Sequence, residues 1–198
     1  MKAWPLVALA PLALFTAVGC GGARPYRAMA KAASSEESVF SQAEDNRVAL
    51  RVREAILADD PSRVISVTPH CYMGRVYLVG FVKDVDEGAR LESIANSVAG
   101  VRSVDSYLPV RPASASTVGD EELKAKVKAA MALEPGEVAM RIETEALAGH
   151  VVLLGVVASQ DAVASAGARA RTVVGVTGVT NFLIVPEAEY ESLRPHLR

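Results

Sequence analysis

Two segments of the chain are apolar at nearly every position and carry one glycine each: Arg75–Val82 (RVYLVGFV) and His150–Val157 (HVVLLGVV). Runs of this length, rich in β-branched residues and bounded by turn residues, predict strands. Upstream of the first, Val48, Val52, Ala55 and Ile56 recur at helical spacing, and upstream of the second so do Leu123, Val127, Ala130 and Met131. An amphipathic helix is therefore predicted in each region. Between helix and apolar run, Ile65 and Val67, and again Met140 and Ile142, alternate with polar residues and predict a further strand. Gly74 and Gly149 stand where the two strands must reverse, a position that needs positive φ. A second helix is expected from Val85 to Ala99, with Leu91, Ile94, Ala95 and Val98 inward, Asp84 as N-cap and Glu87 three residues on. Gly100 and Gly175 end the second helix of each region in the left-handed conformation, and VRSVDSYLPV and VTGVTNFLIV supply the last strands.

The two regions are one pattern used twice. Gly80 and Gly155 are 155 − 80 = 75 positions apart, and the same shift superimposes Gly74 on Gly149, Leu78 on Leu153, Gly100 on Gly175 and Leu108 on Leu183 without a gap. The fold class expected is α+β: two tandem α-β-β-α-β domains, each a three-stranded mixed sheet with two helices on one face. The boundaries read as 45–111 and 120–186, with a Pro/Ser/Ala linker at 112–119 and a tail at 187–198. Glycine inside a strand marks a bulge or a close backbone approach. Gly80 and Gly155 are accordingly expected where a helix crosses the sheet too closely for a Cβ.

The first 19 residues follow a different pattern. Lys2 precedes an apolar run from Ala3 to Val18, too short for a transmembrane helix and interrupted by Pro5 and Pro11, as in an export signal. Its end, TAVGC, resembles a bacterial lipobox, with Ala17 where leucine is usual. The resemblance implies lipidation of Cys20 and anchoring through its acyl chains. An ordinary export signal cut near the same place is the alternative. Gly21 after the cysteine implies, by enteric-type sorting, the outer membrane. Residues 20–44 are Gly/Ala/Ser-rich and read as a flexible tether. With Cys20 acylated, Cys71 is left as a lone thiol.

Composition then narrows the function. A net charge of −2 and 5% aromatic residues give neither a basic field nor a stacking platform, so no nucleic-acid partner is expected. Three histidines, His70, His150 and His196, show no metal-ligand spacing, and the acidic residues Asp84, Asp86 and Glu87 belong to a helix start. No catalytic residue, metal or cofactor is expected. In EELKAKVKAAMA, Lys124 and Lys128 share one helix face, and with Arg169 and Arg171 they are the candidate contacts to anionic phospholipid. A merely solvated helix face is the plainer alternative.

The repeated G-x-V-x-L-x-G-x-V at Gly74–Val82 and Gly149–Val157, with GV-x-x-V at Gly100–Val104 and Gly175–Val179, resembles the BON domain. A lipobox followed by two such domains resembles the dual-BON outer-membrane lipoproteins. That resemblance implies a non-enzymatic, periplasm-facing protein that binds anionic phospholipid, mainly through its second domain, and supports envelope integrity. Docking of an envelope protein, as in secretin-type assemblies, is the competing implication.

Overall fold

A computed structural model describes residues 24–62, 66–113, 115–131, 142–157 and 159–186. The segment read as an export signal (residues 1–19), Cys20, Ile65, Met140 and the segment read as a tail (187–198) lie outside them. The first repeat comprises α1 (Arg24–Asp59), β1 (Val67–Tyr72), β2 (Arg75–Gly80), α2 (Val85–Asn96) and β3 (Ser103–Tyr107). The second comprises α3 (Thr117–Met131), β4 (Ile142–Leu147), β5 (His150–Val156), α4 (Gln160–Thr172) and β6 (Gly178–Ile184). From Val39 onward, both repeats lie in one compact unit, Val39–Arg198.

Each repeat forms its own mixed sheet. The orders are β1-β2-β3 and β4-β5-β6, the first pair antiparallel and the second parallel in each. The hairpins turn at Met73–Gly74 and Ala148–Gly149, where all four residues have positive φ. Strand side chains alternate between faces. Val76 and Leu78 of β2 pack against Val48, Val52 and Ile56 of α1 and Leu91 and Ala95 of α2, so both helices cover one face. Leu123, Val127 and Met131 of α3 and Ala166 and Ala170 of α4 do the same over Val151 and Leu153. Asp84 caps α2 by accepting from the Glu87 amide (2.8 Å), while the Glu87 carboxylate accepts from the Lys83 amide (2.7 Å).

Three expectations are corrected. The chain is helical from Arg24, so most of the segment read as a tether belongs to α1. Its Ala, Arg, Met, Lys and Glu residues are strong helix formers, which outweighs the Gly and Ser around them. Helix α2 ends at Asn96 rather than Ala99, with Ser97 as C-cap, and a turn leads on to Gly100 at φ 94°. The third correction concerns Gly80. A Cβ there would stand 2.1 Å from the Ser66 carbonyl oxygen and 2.6 Å from the Val67 Cα. What crowds Gly80 is the backbone at the start of the neighbouring strand, not a crossing helix. Ser66 comes this close because its carbonyl accepts from the Phe81 amide (3.0 Å), closing the end of the β1–β2 ladder. Gly155, at the matching place opposite Ile142, has φ 130°, which other residues rarely adopt.

The faces turned away from the helices are also covered. Tyr77 and Val79 of the first sheet cluster with Val152, Leu154 and Ile184 of the second, flanked by Tyr72, Tyr107, Leu147 and Phe182. Tyr77 lies 4.9 Å from Phe182, and Tyr107 stacks on His150 at 4.3 Å, centroid to centroid. The result is four layers, helices–sheet–sheet–helices, with the two sheets back to back. This explains why the β2 and β5 runs are apolar at both alternating positions, a pattern proper to strands buried on both faces.

Candidate functional site

Charged and polar side chains gather along one side of the sheet–sheet contact, between β1 and β4. Strand alternation sends Cys71 into the helix-side core and His70 and Tyr72 to the sheet–sheet side. On β4, Glu143 and Glu145 point toward them. Glu143 Oε2 lies 3.0 Å from His70 Nδ1 and accepts from the Tyr72 hydroxyl at 2.5 Å. Glu145 Oε1 is 3.9 Å from His70 Nε2, and its other oxygen accepts from Lys124 Nζ of α3 at 2.9 Å. Five side chains thus run from the first domain through the seam to a helix of the second.

The electrostatics follow from these contacts. The His70 hydrogen bond, helped by the Tyr72 hydroxyl and opposed by partial burial, holds the Glu143 carboxyl down at about 2. Burial, reinforced by that same carboxylate, pushes the Tyr72 phenol far above its ordinary range. Desolvation is the largest influence on Lys124 and works against its charge. The Glu145 hydrogen bond and the charges of Glu145, Glu121 and Glu143 together outweigh it and hold the ammonium above its usual value. On the helix side, Asp45 accepts from the Met73 and Gly74 amides at 2.8 Å each and from the Cys71 thiol at 3.4 Å. Burial and the Asp45 charge push that thiol up to about 12, which makes it a poor nucleophile.

The four candidate lipid contacts differ in exposure and pairing. Lys124 is only 21% exposed and held by Glu145, not free on a solvated face. Lys128 and Arg171 are exposed. Arg169 is half-buried and donates to the Ala130 carbonyl at the end of α3 (3.4 Å). Lys126, on another side of α3, is exposed and pairs with Glu122 at 2.7 Å. Nearby, Val118 and Val174 are 80% and 86% exposed at the end of the domain where α3 begins and α4 gives way to β6. A shallow depression of about 270 Å³ is lined there by Leu123, Lys126, Gly149 and Val174. Among the described residues, no group of three or more His, Cys, Asp or Glu side chains could hold a metal ion, and no helix is long and apolar enough to cross a membrane.

Sequence reasoning missed His70, Tyr72, Glu143 and Glu145 as a group. His70 and Glu143 are 73 positions apart, and only the back-to-back packing of the sheets brings them together.

Duplicated α-β-β-α-β sheets define the class, and the family comparison agrees: the chain belongs to the BON domain family, matched over residues 44–112 and 119–187. It is related to osmotically-inducible protein Y of Escherichia coli (strain K12), with 28% identity over 157 residues, 77% of this chain and 78% of that protein. Among solved structures it is similar to CdsD, a structural protein of the type III secretion system of Chlamydia trachomatis. One CdsD structure, of the C-terminal domain, matches at 13% identity and TM-score 0.30, covering 67% of this chain and 62% of that one. Another matches at 15% identity and TM-score 0.30, covering 76% and 68%. A likeness that distant carries no functional weight.

Proposed function

We propose that this chain is a non-enzymatic envelope protein, anchored in the outer membrane through acyl chains on Cys20, whose second BON domain binds anionic phospholipid and so supports envelope integrity. The supporting observation is which surfaces remain outward. The sheets cover each other, and the second domain turns α3 outward with Lys126 and Lys128 exposed and Val118 and Val174 bare at its end. Lys126 lines the depression with the bare Val174, an arrangement that suits a membrane interface, where the cation meets headgroups and the valine enters the acyl boundary. The family resemblance and the relation to osmotically-inducible protein Y favour an envelope setting. The burial of both sheet faces removes the broad flat surface that a docking adaptor would offer, leaving strand edges for that role.

The test is flotation of the acyl-free chain, beginning at residue 21, on vesicles with and without phosphatidylglycerol. Binding is expected only with the anionic lipid. Changing Lys126 and Lys128 together to glutamate removes up to about 2 kcal/mol of attraction at low salt, and the loss shrinks as salt rises. Changing Arg47 and Arg53 of α1 to glutamate serves as the first-domain control. Equal losses from the two pairs, or equal flotation on both vesicle types, would count against the lipid reading and favour partner docking at an edge.

A further inference from the structure

We infer that the charged seam is a pairing code. It confines docking to unlike repeats, which closes the chain on itself, and it makes a second copy of this chain a partner wherever the code is matched between copies instead of within one.

The sheet–sheet contact is built from the same positions of both repeats. Tyr77 and Val152, Val79 and Leu154, and Tyr107 and Phe182 are pairs related by the 75-position shift, and all six belong to the shared cluster or pack against it. His70 and Glu145 are equivalents too, and they face each other, Nε2 to Oε1, at 3.9 Å. A residue that meets its own equivalent lies near a two-fold axis, and a contact of this kind is isologous, as in a symmetric dimer. The repeats therefore dock as two copies of one domain would. Their apolar positions alone do not prevent like repeats from pairing. A chain with two such faces, pairing like with like, would string copies into an open filament.

The polar positions do prevent it. Strand β1 brings Thr68, His70 and Tyr72, and β4 brings Glu143, Glu145 and Leu147 at the equivalent places. In the unlike pair, Glu143 accepts from the Tyr72 hydroxyl at 2.5 Å and lies 3.0 Å from His70 Nδ1. Two second repeats would instead bring Glu143 and Glu145 of each together, four carboxylates in all, with Lys124 bonded to Glu145 alone. Glu145 is already three-quarters covered, so charge gathered there is costly. Two first repeats would leave the Tyr72 hydroxyls and the imidazoles without a carboxylate. They would also crowd two Tyr77 rings into a contact where the unlike pair holds one ring and Val152. The exclusion of paired second repeats follows from the carboxylates and does not turn on the charge of His70.

The experiment uses two variants of the acyl-free full chain. Thr68→Glu with His70→Glu copies the acidic pair of β4 onto β1, and Glu143→Thr with Glu145→His copies the β1 residues onto β4. Each variant then carries two like faces. Both are unfolded in urea, refolded separately and as an equal mixture at about 0.1 mM, and sized by light scattering, with circular dichroism verifying the fold. That concentration is roughly tenfold below the millimolar effective concentration of tethered domains, so a mismatched seam has to outweigh closure of the chain on itself. The mixture should give a particle of twice the chain mass that contains both variants equally, while wild type and each variant alone stay monomeric. The same dimer from either variant alone would overturn the code, because like faces would then pair. A mixture that stays monomeric would also overturn it, whatever the stability of the variants. All four substitutions in one chain exchange the two faces, and should return a monomer with a urea midpoint above that of either variant. Should a variant fail to fold alone, this chain decides: recovery of the fold upholds the code, and failure to recover overturns it.

Discussion

Replacing Gly80 with alanine tests the packing account at a single atom. The added Cβ would stand 2.1 Å from the Ser66 carbonyl oxygen and 2.6 Å from the Val67 Cα. Both are backbone atoms, so no side chain can swing aside, and β1 itself must move. Overpacking of this kind costs roughly 1–3 kcal/mol. The shift also stretches the Phe81 amide bond to the Ser66 carbonyl, now 3.0 Å, worth about 0.5–1.5 kcal/mol. Together these predict a loss of about 2–4 kcal/mol. For two docked domains melting as one unit, that lowers Tm by about 5–15 °C. The assay is thermal and urea unfolding followed by circular dichroism on the acyl-free chain. Gly88→Ala is the matched control: its Cβ would meet only the Leu108 side chain at 3.9 Å, inside a helix where alanine is the better residue. That variant should be more stable, by about 0.5–1 kcal/mol. If Gly80→Ala melts within about 2 °C of wild type, backbone crowding at the β1–β2 ladder does not constrain this residue.

Three further outcomes are expected. Glu143 has a folded pKa of about 2, below its ordinary 4.5, so its stabilisation is fully present above pH 4.5 and is lost as the pH falls toward 2. Urea midpoints measured through that window should converge for wild type and Glu143→Gln, and a constant gap would refute the assignment. Cys71, with its thiol raised to about 12 and its side chain buried, should resist iodoacetamide at pH 8 until the chain is unfolded; rapid alkylation of the native protein would contradict the burial. Cys20→Ser should abolish incorporation of a fatty-acid probe, and equal labelling of wild type and variant would remove the lipid anchor from the proposal.

How much of this could be read from the chain depends on how far apart the interacting residues lie. The glycines at 74, 100, 149 and 175 report local backbone conformation, and helical spacing in Val48–Val52–Ile56 reports a neighbouring face, so elements and topology were legible. Gly80 was legible as a close approach, but its partner was not, because nothing local distinguishes a strand neighbour from a helix above. The sheet–sheet contact did leave a mark. RVYLVGFV and HVVLLGVV are apolar on both faces, where a strand with one wet face would alternate. The charged seam left none: Lys124 reads as an exposed helical cation until Glu145, 21 positions on, is brought beneath it.

The back-to-back sheets also set a limit on dissection. Cutting the chain at the linker does not yield two finished proteins, because each half inherits an uncovered wall: Tyr77, Val79 and Tyr107 on one, Val152, Leu154 and Phe182 on the other. Exposed apolar surfaces of that kind invite self-association and adventitious capture of other proteins. A single-repeat fragment that pulls down many partners would therefore be displaying an unpaired internal surface, and stickiness in such fragments should be read as the scar of the cut before it is read as recognition.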